Sequence, residues 1–360
     1  MDITLRMSDH ALTARAAAAA GIVLLKNTAG TLPLLPAEDG APLPVAVFGI
    51  RQLLTPAYDR AMTPWRAIGV LDGLMASDAV RPDGLLARKY RTWAMEHPDG
   101  SELPLTNVDF GALRHDCAAA VVVIGRTPEQ DHPRLTSEET AMLTRVTSVF
   151  DRTILVLAAP GYIELNEAAL ACGAIVFLGL AGQEAGGALA DVLTAKVMPS
   201  GHLSFSWPER AEAFADACAA ADQFTGYRYF DSFGVPVRYP FGHGLSYTTF
   251  DFGAPKYDAK KGTLTVAVTN SGKRDGEEVV QVYIRNTADT EGPLKTLRAY
   301  KRVALKAGES STVTINLPRE SFEGWDVKTN TMRVVPGKYE VMVGNSSAAQ
   351  NLKTINVKVK

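Results

Sequence analysis

Residues 118–125 read Ala-Ala-Ala-Val-Val-Val-Ile-Gly, an unbroken apolar, β-branched run that stops at a glycine. Such a run is too short for a buried helix and lacks the alternation of a half-exposed strand. It fits a strand covered on both faces, the usual state of a parallel sheet. Residues 44–49, 153–160 and 174–179 repeat the pattern, each ending at Gly49, Pro160 or Gly179. Helical stretches lie between and around them. Residues 137–149 space Ala141, Leu143 and Val146 at helical intervals with Phe150 just beyond, and 65–74, 85–95, 164–171 and 186–193 also read as helices. Residues 8–20 form an Ala-rich helix that Ser8 or Asp9 would cap, followed by the short run Gly21-Ile-Val-Leu-Leu25. Strand–helix–strand repetition of this kind predicts an α/β sandwich: a mostly parallel sheet with helices on both faces.

The texture changes after Pro208. Residues 227–247 are rich in aromatics, glycine and proline without a helical period. From Phe250 onward short segments alternate apolar and polar residues, as in 263–269, 279–284, 311–316 and 338–343. Turns such as Asn270-Ser-Gly272, Lys306-Ala-Gly308 and Pro336-Gly337 separate them. About 110 residues of this kind describe an all-β immunoglobulin-like or fibronectin-III-like sandwich. The expected division is therefore 1–222 for the α/β domain, 223–249 for an aromatic-rich connecting segment, and 250–360 for the β domain.

Charge and composition exclude several functions. The chain has 37 basic and 39 acidic residues, a net charge of −2, which offers no basic footprint for nucleic acid or an anionic membrane. No apolar stretch approaches the ~18 residues a membrane helix needs. Residues 16–25 have the apolar core of a signal peptide, but Asp2 and Asp9 precede it and Lys26 follows at once, so the cytoplasm is the expected location. Cys117, Cys172 and Cys218 are too few and too scattered for a disulfide framework or a zinc motif, and the histidines lack ligand spacing. Without a phosphate loop or metal motif, no cofactor is expected.

Several motifs in order resemble one family. Gly21-Ile-Val-Leu-Leu-Lys-Asn27 is similar to the opening of the α/β sandwich of family 3 glycoside hydrolases, the β-glucosidase type. Ala181-Gly-Gln-Glu-Ala-Gly-Gly187, then Ala190-Asp-Val-Leu193 and Pro199-Ser-Gly201, resemble that domain's closing signature. Gly226-Tyr-Arg-Tyr-Phe230 and Tyr239-Pro-Phe-Gly-His-Gly-Leu-Ser-Tyr-Thr248 resemble the bridge to the family's fibronectin-III-like domain, which Gly276-Glu-Glu-Val-Val-Gln-Val-Tyr283 and Val343-Gly-Asn-Ser-Ser347 match. Members of that family also carry a (β/α)₈ barrel that supplies the nucleophilic aspartate. A barrel needs about 250 residues, and no unassigned stretch of that length remains among these 360.

The resemblance implies a site. Retaining glycosidases use two carboxyl groups about 5 to 5.5 Å apart, one a nucleophile and one an acid/base. In many family members the acid/base glutamate follows a strand ending in Gly-Arg. Here Gly125-Arg126 is followed by Thr-Pro-Glu129-Gln-Asp131-His-Pro-Arg134. An ungapped comparison puts Gln130, which cannot protonate a leaving group, on the acid/base position; a one-residue gap puts Glu129 there. Asp131 is a lesser candidate. Arg126 and Arg134 either contact sugar hydroxyls or pair with loop carboxylates. The glycine- and serine-rich sugar loop expected after Gly49 is replaced by the bulkier Ile50-Arg-Gln-Leu-Leu-Thr-Pro-Ala-Tyr-Asp59. The glycines near Gln183-Glu184 read either as a ligand edge or as close helix packing. The implied partners are a β-glucoside-like carbohydrate and a barrel chain or a second copy; the alternative is a non-catalytic carbohydrate- or protein-binding protein derived from the family.

Overall fold

The computed structural model describes residues 3–53, 67–127, 132–220, 223–326 and 329–360. The chain divides into two compact units, Met1–Gly201 and His202–Lys360.

The first unit runs α1 (Ile3–Gly21), β1 (Val23–Asn27), β2 (Leu43–Phe48), α2 (Val70–Met75), β3 (Val80–Pro82), α3 (Gly84–Glu96), α4 (Asn107–Asp116), β4 (Ala119–Gly125), α5 (Ser137–Val149), β5 (Thr153–Ala158), α6 (Glu167–Leu170), β6 (Ala174–Phe177) and α7 (Ala185–Leu193). Its six strands stand in the order β1-β6-β5-β4-β2-β3. All neighbours are parallel except β1, which runs antiparallel to β6. Every residue of β4 and β5 is buried, as a sheet covered on both faces requires. Each buried Val, Ile or Leu there stabilises by about 1.5–3 kcal/mol. That exceeds the roughly 1 kcal/mol of a helix cap, so the central strands rather than the caps set the fold.

The helices start where the sequence supplies acceptors. The Thr136 hydroxyl accepts from Glu139 N while the Glu139 carboxylate accepts from Thr136 N, a reciprocal cap that opens α5. Two expected helices are shorter than the periodicity predicts. Within 65–74, α2 begins at Val70, because Ile68 instead pairs its backbone with Gln183 and Gly186; residues 65–66 lie outside the described residues. Within 164–171, α6 begins at Glu167 behind an Asn166 cap, and Glu164 N donates to Pro133 O. The helix α1 begins before Ser8 and Asp9. The closing signature packs a helix: a Cβ added to Gly73 or Gly186 would collide with the Gly186 or Gly69 carbonyl, so α2 and α7 meet backbone to backbone.

The second unit begins with β7 (Trp207–Pro208), α8 (Ala211–Ala219), α9 (Tyr227–Phe233) and β8 (Val237–Tyr239). The sandwich follows with β9 (Phe250–Phe252), β10 (Lys256–Asp258), β11 (Thr263–Asn270), β12 (Gly276–Asn286), β13 (Thr296–Leu305), β14 (Ser310–Asn316), β15 (Glu323–Asp326), β16 (Thr331–Val334), β17 (Gly337–Gly344) and β18 (Lys353–Val359). One sheet is β10-β11-β14 with β9 also on β11, and the other is β13-β12-β17-β18, all antiparallel. Alternate residues such as Val266, Val268, Val280, Val282, Val341 and Val343 fill the space between them. The helix α9 corrects the expectation of no helix within 227–247. Seven residues are too few to show a period, and the positive-φ glycines Gly226 and Gly234 bound it instead.

Candidate functional site

The strand order places a topological switch in the first unit. From β2 the chain moves to β3 on one side, then returns to β4 on the other, so the crevice opens between the C-terminal ends of β2 and β4. Open parallel sheets bind ligands at such points, because the connecting loops diverge there. A cleft of about 370 Å³ occupies that position, lined among others by Arg51, Glu102, Gly125, Arg126, Glu139 and Met142.

Arg126 sits at the end of β4, with its backbone N–H donating to Ala158 O at 3.0 Å. Its side chain is only 5% exposed. Nη1 and Nη2 each donate to a Glu139 carboxylate oxygen at 2.6 Å. The same guanidinium donates to Gly125 O at 2.9 Å, Arg134 O at 3.0 Å and His132 O at 3.4 Å. A buried cation is tolerated because five donors meet matched acceptors in a planar fork. The returning segment 132–134 is also held from the far side: Pro133 O accepts from Glu164 N at 2.6 Å, and Arg134 Nε lies 3.6 Å from a Glu164 oxygen. Residues 132–134 are therefore held from one side by Arg126 and from the other by Glu164.

The opposite wall is a buried polar chain. Tyr90 OH donates to Glu102 Oε1 at 2.9 Å and accepts from Gly49 N at 2.9 Å. Glu102 Oε2 accepts from Ile50 N at 2.9 Å, and Oε1 accepts from Leu103 N at 3.1 Å. These bonds pin the turn after β2, which carries Arg51. Burial raises the Glu102 pKa despite those donors, and burial, then the nearby Glu102 charge, raises Tyr90 well above the ordinary phenol range. Burial, then the Arg126 charge, lowers Arg51. The Arg51 stem lies close to Gly125, where an added Cβ would approach Arg51 Cγ to 3.1 Å.

The sequence-derived candidates fall as follows. Arg126 is in the cleft and fully engaged with Glu139 and backbone carbonyls; Arg134 does not line it and lies largely exposed beside Glu164. Glu129, Gln130 and Asp131 lie outside the described residues. Sequence reasoning did not single out Arg51, Tyr90, Glu102 or Glu139. Only Glu139 left a signal, its position three residues after Thr136. Among the described residues no cluster of His, Cys, Asp and Glu could hold a metal ion.

Comparison with known proteins agrees with this architecture. Residues 22–247 match the pattern of the glycosyl hydrolase family 3 C-terminal domain, and 278–347 match the fibronectin type III-like domain. An exo-α-(1→6)-L-arabinopyranosidase of Bifidobacterium longum is 32% identical across 94% of this chain, which spans 47% of that protein. A xylan 1,4-β-xylosidase of Xylanibacter ruminicola is 40% identical over 210 residues, 57% of this chain and 24% of that protein. In structure, β-glucosidase 3B of Thermotoga neapolitana, solved in complex with α-D-glucose, aligns with a TM-score of 0.87 at 28% identity, covering 98% of this chain and 54% of that one. The chain thus spans about half of these full-length relatives or less. With the motif order, both domain patterns and the fold in agreement, the chain belongs to glycoside hydrolase family 3, comprising that family's α/β C-terminal domain and fibronectin-III-like domain.

Proposed function

We propose that this chain supplies the acid/base wall of a retaining β-glycosidase site, with the nucleophile contributed by a (β/α)₈ barrel on the same or another polypeptide. The observation that carries this reading is that Arg126 and residues 132–134, which flank Glu129 in the sequence, are held at the switch-point cleft. A loop bearing a catalytic carboxyl group must be held to a fraction of an ångström at its ends. Arg126 and Glu164 contact the residues that follow Asp131 in the sequence. In this scheme Glu129 protonates the departing glycosidic oxygen and then activates water. Asp131 and Arg134 border the leaving-group side, and Arg126 positions the loop without touching sugar. Two described cleft carboxylates serve other roles: Glu139 is engaged by Arg126, and Glu102 by Tyr90 and two backbone amides.

A neutral β-glucoside-like carbohydrate is the proposed substrate, and the relatives' names, a xylosidase, an arabinopyranosidase and a glucosidase, mark the range to be tried first. A barrel chain, or a second copy of this chain, is the proposed partner. Among the described residues no helix is long and apolar enough to cross a membrane. All three cysteines are unpaired thiols, which supports a reducing, cytoplasmic setting. The division into 1–222, 223–249 and 250–360 is retained as the proposed set of functional modules.

The second reading, a non-catalytic carbohydrate-binding protein, draws on Glu102 and Glu139, cleft carboxylates consumed by structural bonds. One experiment separates the two. Hydrolysis of aryl β-glucosides and β-xylosides is followed with the chain alone and mixed with a family 3 barrel, beside Glu129→Ala. Turnover that needs the barrel and falls in the variant supports the catalytic reading. Sugar binding with no turnover in any mixture supports the other.

A further inference from the structure

The fibronectin-III-like unit carries a groove of its own. It measures about 600 Å³ and lies between the edge strands β13 and β14. That volume is in the range of small-molecule sites and too large for a lone ion. The β13 strand is irregular there: Val282 pairs with Ala299 and Tyr283 with Leu297, leaving Arg298 as the extra residue of a β-bulge. Bulges at sheet edges re-aim a side chain out of the regular alternation.

Arg298 lines the groove in an unusual electrostatic state. One of its nitrogens donates to Glu323 O, while its buried Nε has no acceptor. Arg228 has a buried Nε without an acceptor as well. Among the described residues neither guanidinium forms an ion pair with a carboxylate. Burial, then repulsion from Arg228, lowers the Arg298 pKa, with Tyr227 and Glu323 opposing. Lys301 adds a second cation to the groove, its Nζ donating to Thr314 O at 2.9 Å. A guanidinium that lines a groove without a carboxylate partner leaves its charge to be met by an acceptor from outside the protein. Beside them Tyr300 is 71% exposed, an aromatic face without cover, and Asn316 offers an amide.

We infer that this groove binds a carboxylate-bearing sugar unit of the hexuronic acid type, with Arg298 and Lys301 taking the carboxylate and Tyr300 stacking on the ring. Cations alone would accept any anion; the exposed aromatic and the amide add the contacts a sugar ring needs. All the residues lining the groove belong to the second unit, and none of them lines the switch-point cleft.

Calorimetric titration of the full chain with tri-galacturonate, against a neutral trisaccharide of equal length and a tri-glutamate peptide, tests it. The acidic sugar is expected to bind, weakening with added salt, while the neutral sugar binds at least about tenfold more weakly. Arg298→Gln and Tyr300→Ala are each expected to weaken tri-galacturonate binding by at least about tenfold. Tyr300 is a surface residue, so its variant keeps the test open even if Arg298→Gln misfolds. No binding of tri-galacturonate, equal binding of the neutral sugar, or peptide binding of equal strength that ignores Tyr300→Ala would each overturn the proposal.

Discussion

Arg126 and Glu139 face each other through two parallel hydrogen bonds of 2.6 Å, and each also performs a second task. Glu139 closes the reciprocal cap of α5, and Arg126 holds the carbonyls of His132 and Arg134. One buried ion pair therefore couples the end of β4, the start of α5 and the returning stem of loop 128–131.

Removing one partner of a buried pair strands the other charge, at a cost of about 3–5 kcal/mol. Arg126→Met is expected to lower unfolding free energy by about that amount in urea titrations. Arg126→Lys should recover little, because an ammonium cannot span both carboxylate oxygens and two carbonyls. Full recovery by lysine would show that charge alone, not the fork, matters here.

The glycines of the α2–α7 contact make a second prediction. Gly73→Ala and Gly186→Ala place a methyl group against a backbone carbonyl that cannot yield locally, and each should cost about 3 kcal/mol or prevent folding. Gly111, inside α4 with nothing near its added Cβ, is the control. Gly111→Ala should stabilise by roughly 0.5–1 kcal/mol through helix propensity. Thermal melts of the three variants would show opposite signs.

Glu102 predicts a pH dependence. Its folded pKa lies above the ordinary 4.5 because burial disfavours the carboxylate. A group raised in this way binds its proton more tightly when folded. Its contribution to stability is thus fully present below 4.5 and lost as pH rises through the folded value. Relative to Glu102→Gln, the natural chain should lose stability on going from acid toward neutral pH. Parallel denaturant curves across that range would reveal the converging or diverging lines; a constant difference would mean that the hydrogen bonds cancel the burial.

The proposed acid/base has a leaving-group signature. In a reconstituted site, Glu129→Ala should slow glycosides with poor leaving groups by about 10²–10⁴-fold. Substrates with strongly acidic phenols, which depart without protonation, should be slowed far less. Equal slowing of both would assign Glu129 to binding or loop structure.

Much of the fold was legible because strong, local signals carried it. Residues 118–125 and 153–160 had no use except as strands buried on both faces, and β4 and β5 are that. The alternation in 263–269 and 311–316 likewise became β11 and β14 of the sandwich. Short or glycine-bounded elements were not legible. The helix α9 spans seven residues, and β3 three, too few for a period to show. The antiparallel placement of β1 depends on pairing with a strand about 150 residues away, which no local pattern records.

The site divides in the same way. Its Gly125-Arg126 landmark and the Thr136–Glu139 cap were written in the sequence, since both rest on residues a few positions apart. The sequence by itself determined the two modules and their family. Tertiary structure alone decided that Tyr90 and Glu102 pin the turn after Gly49 and that Arg51 and Arg126 share one cleft. It alone put Arg298 on the β13 bulge without a counter-ion among the described residues. These relationships arise where strand order and bulge geometry bring distant side chains out of water together, and desolvation then fixes which charges must pair.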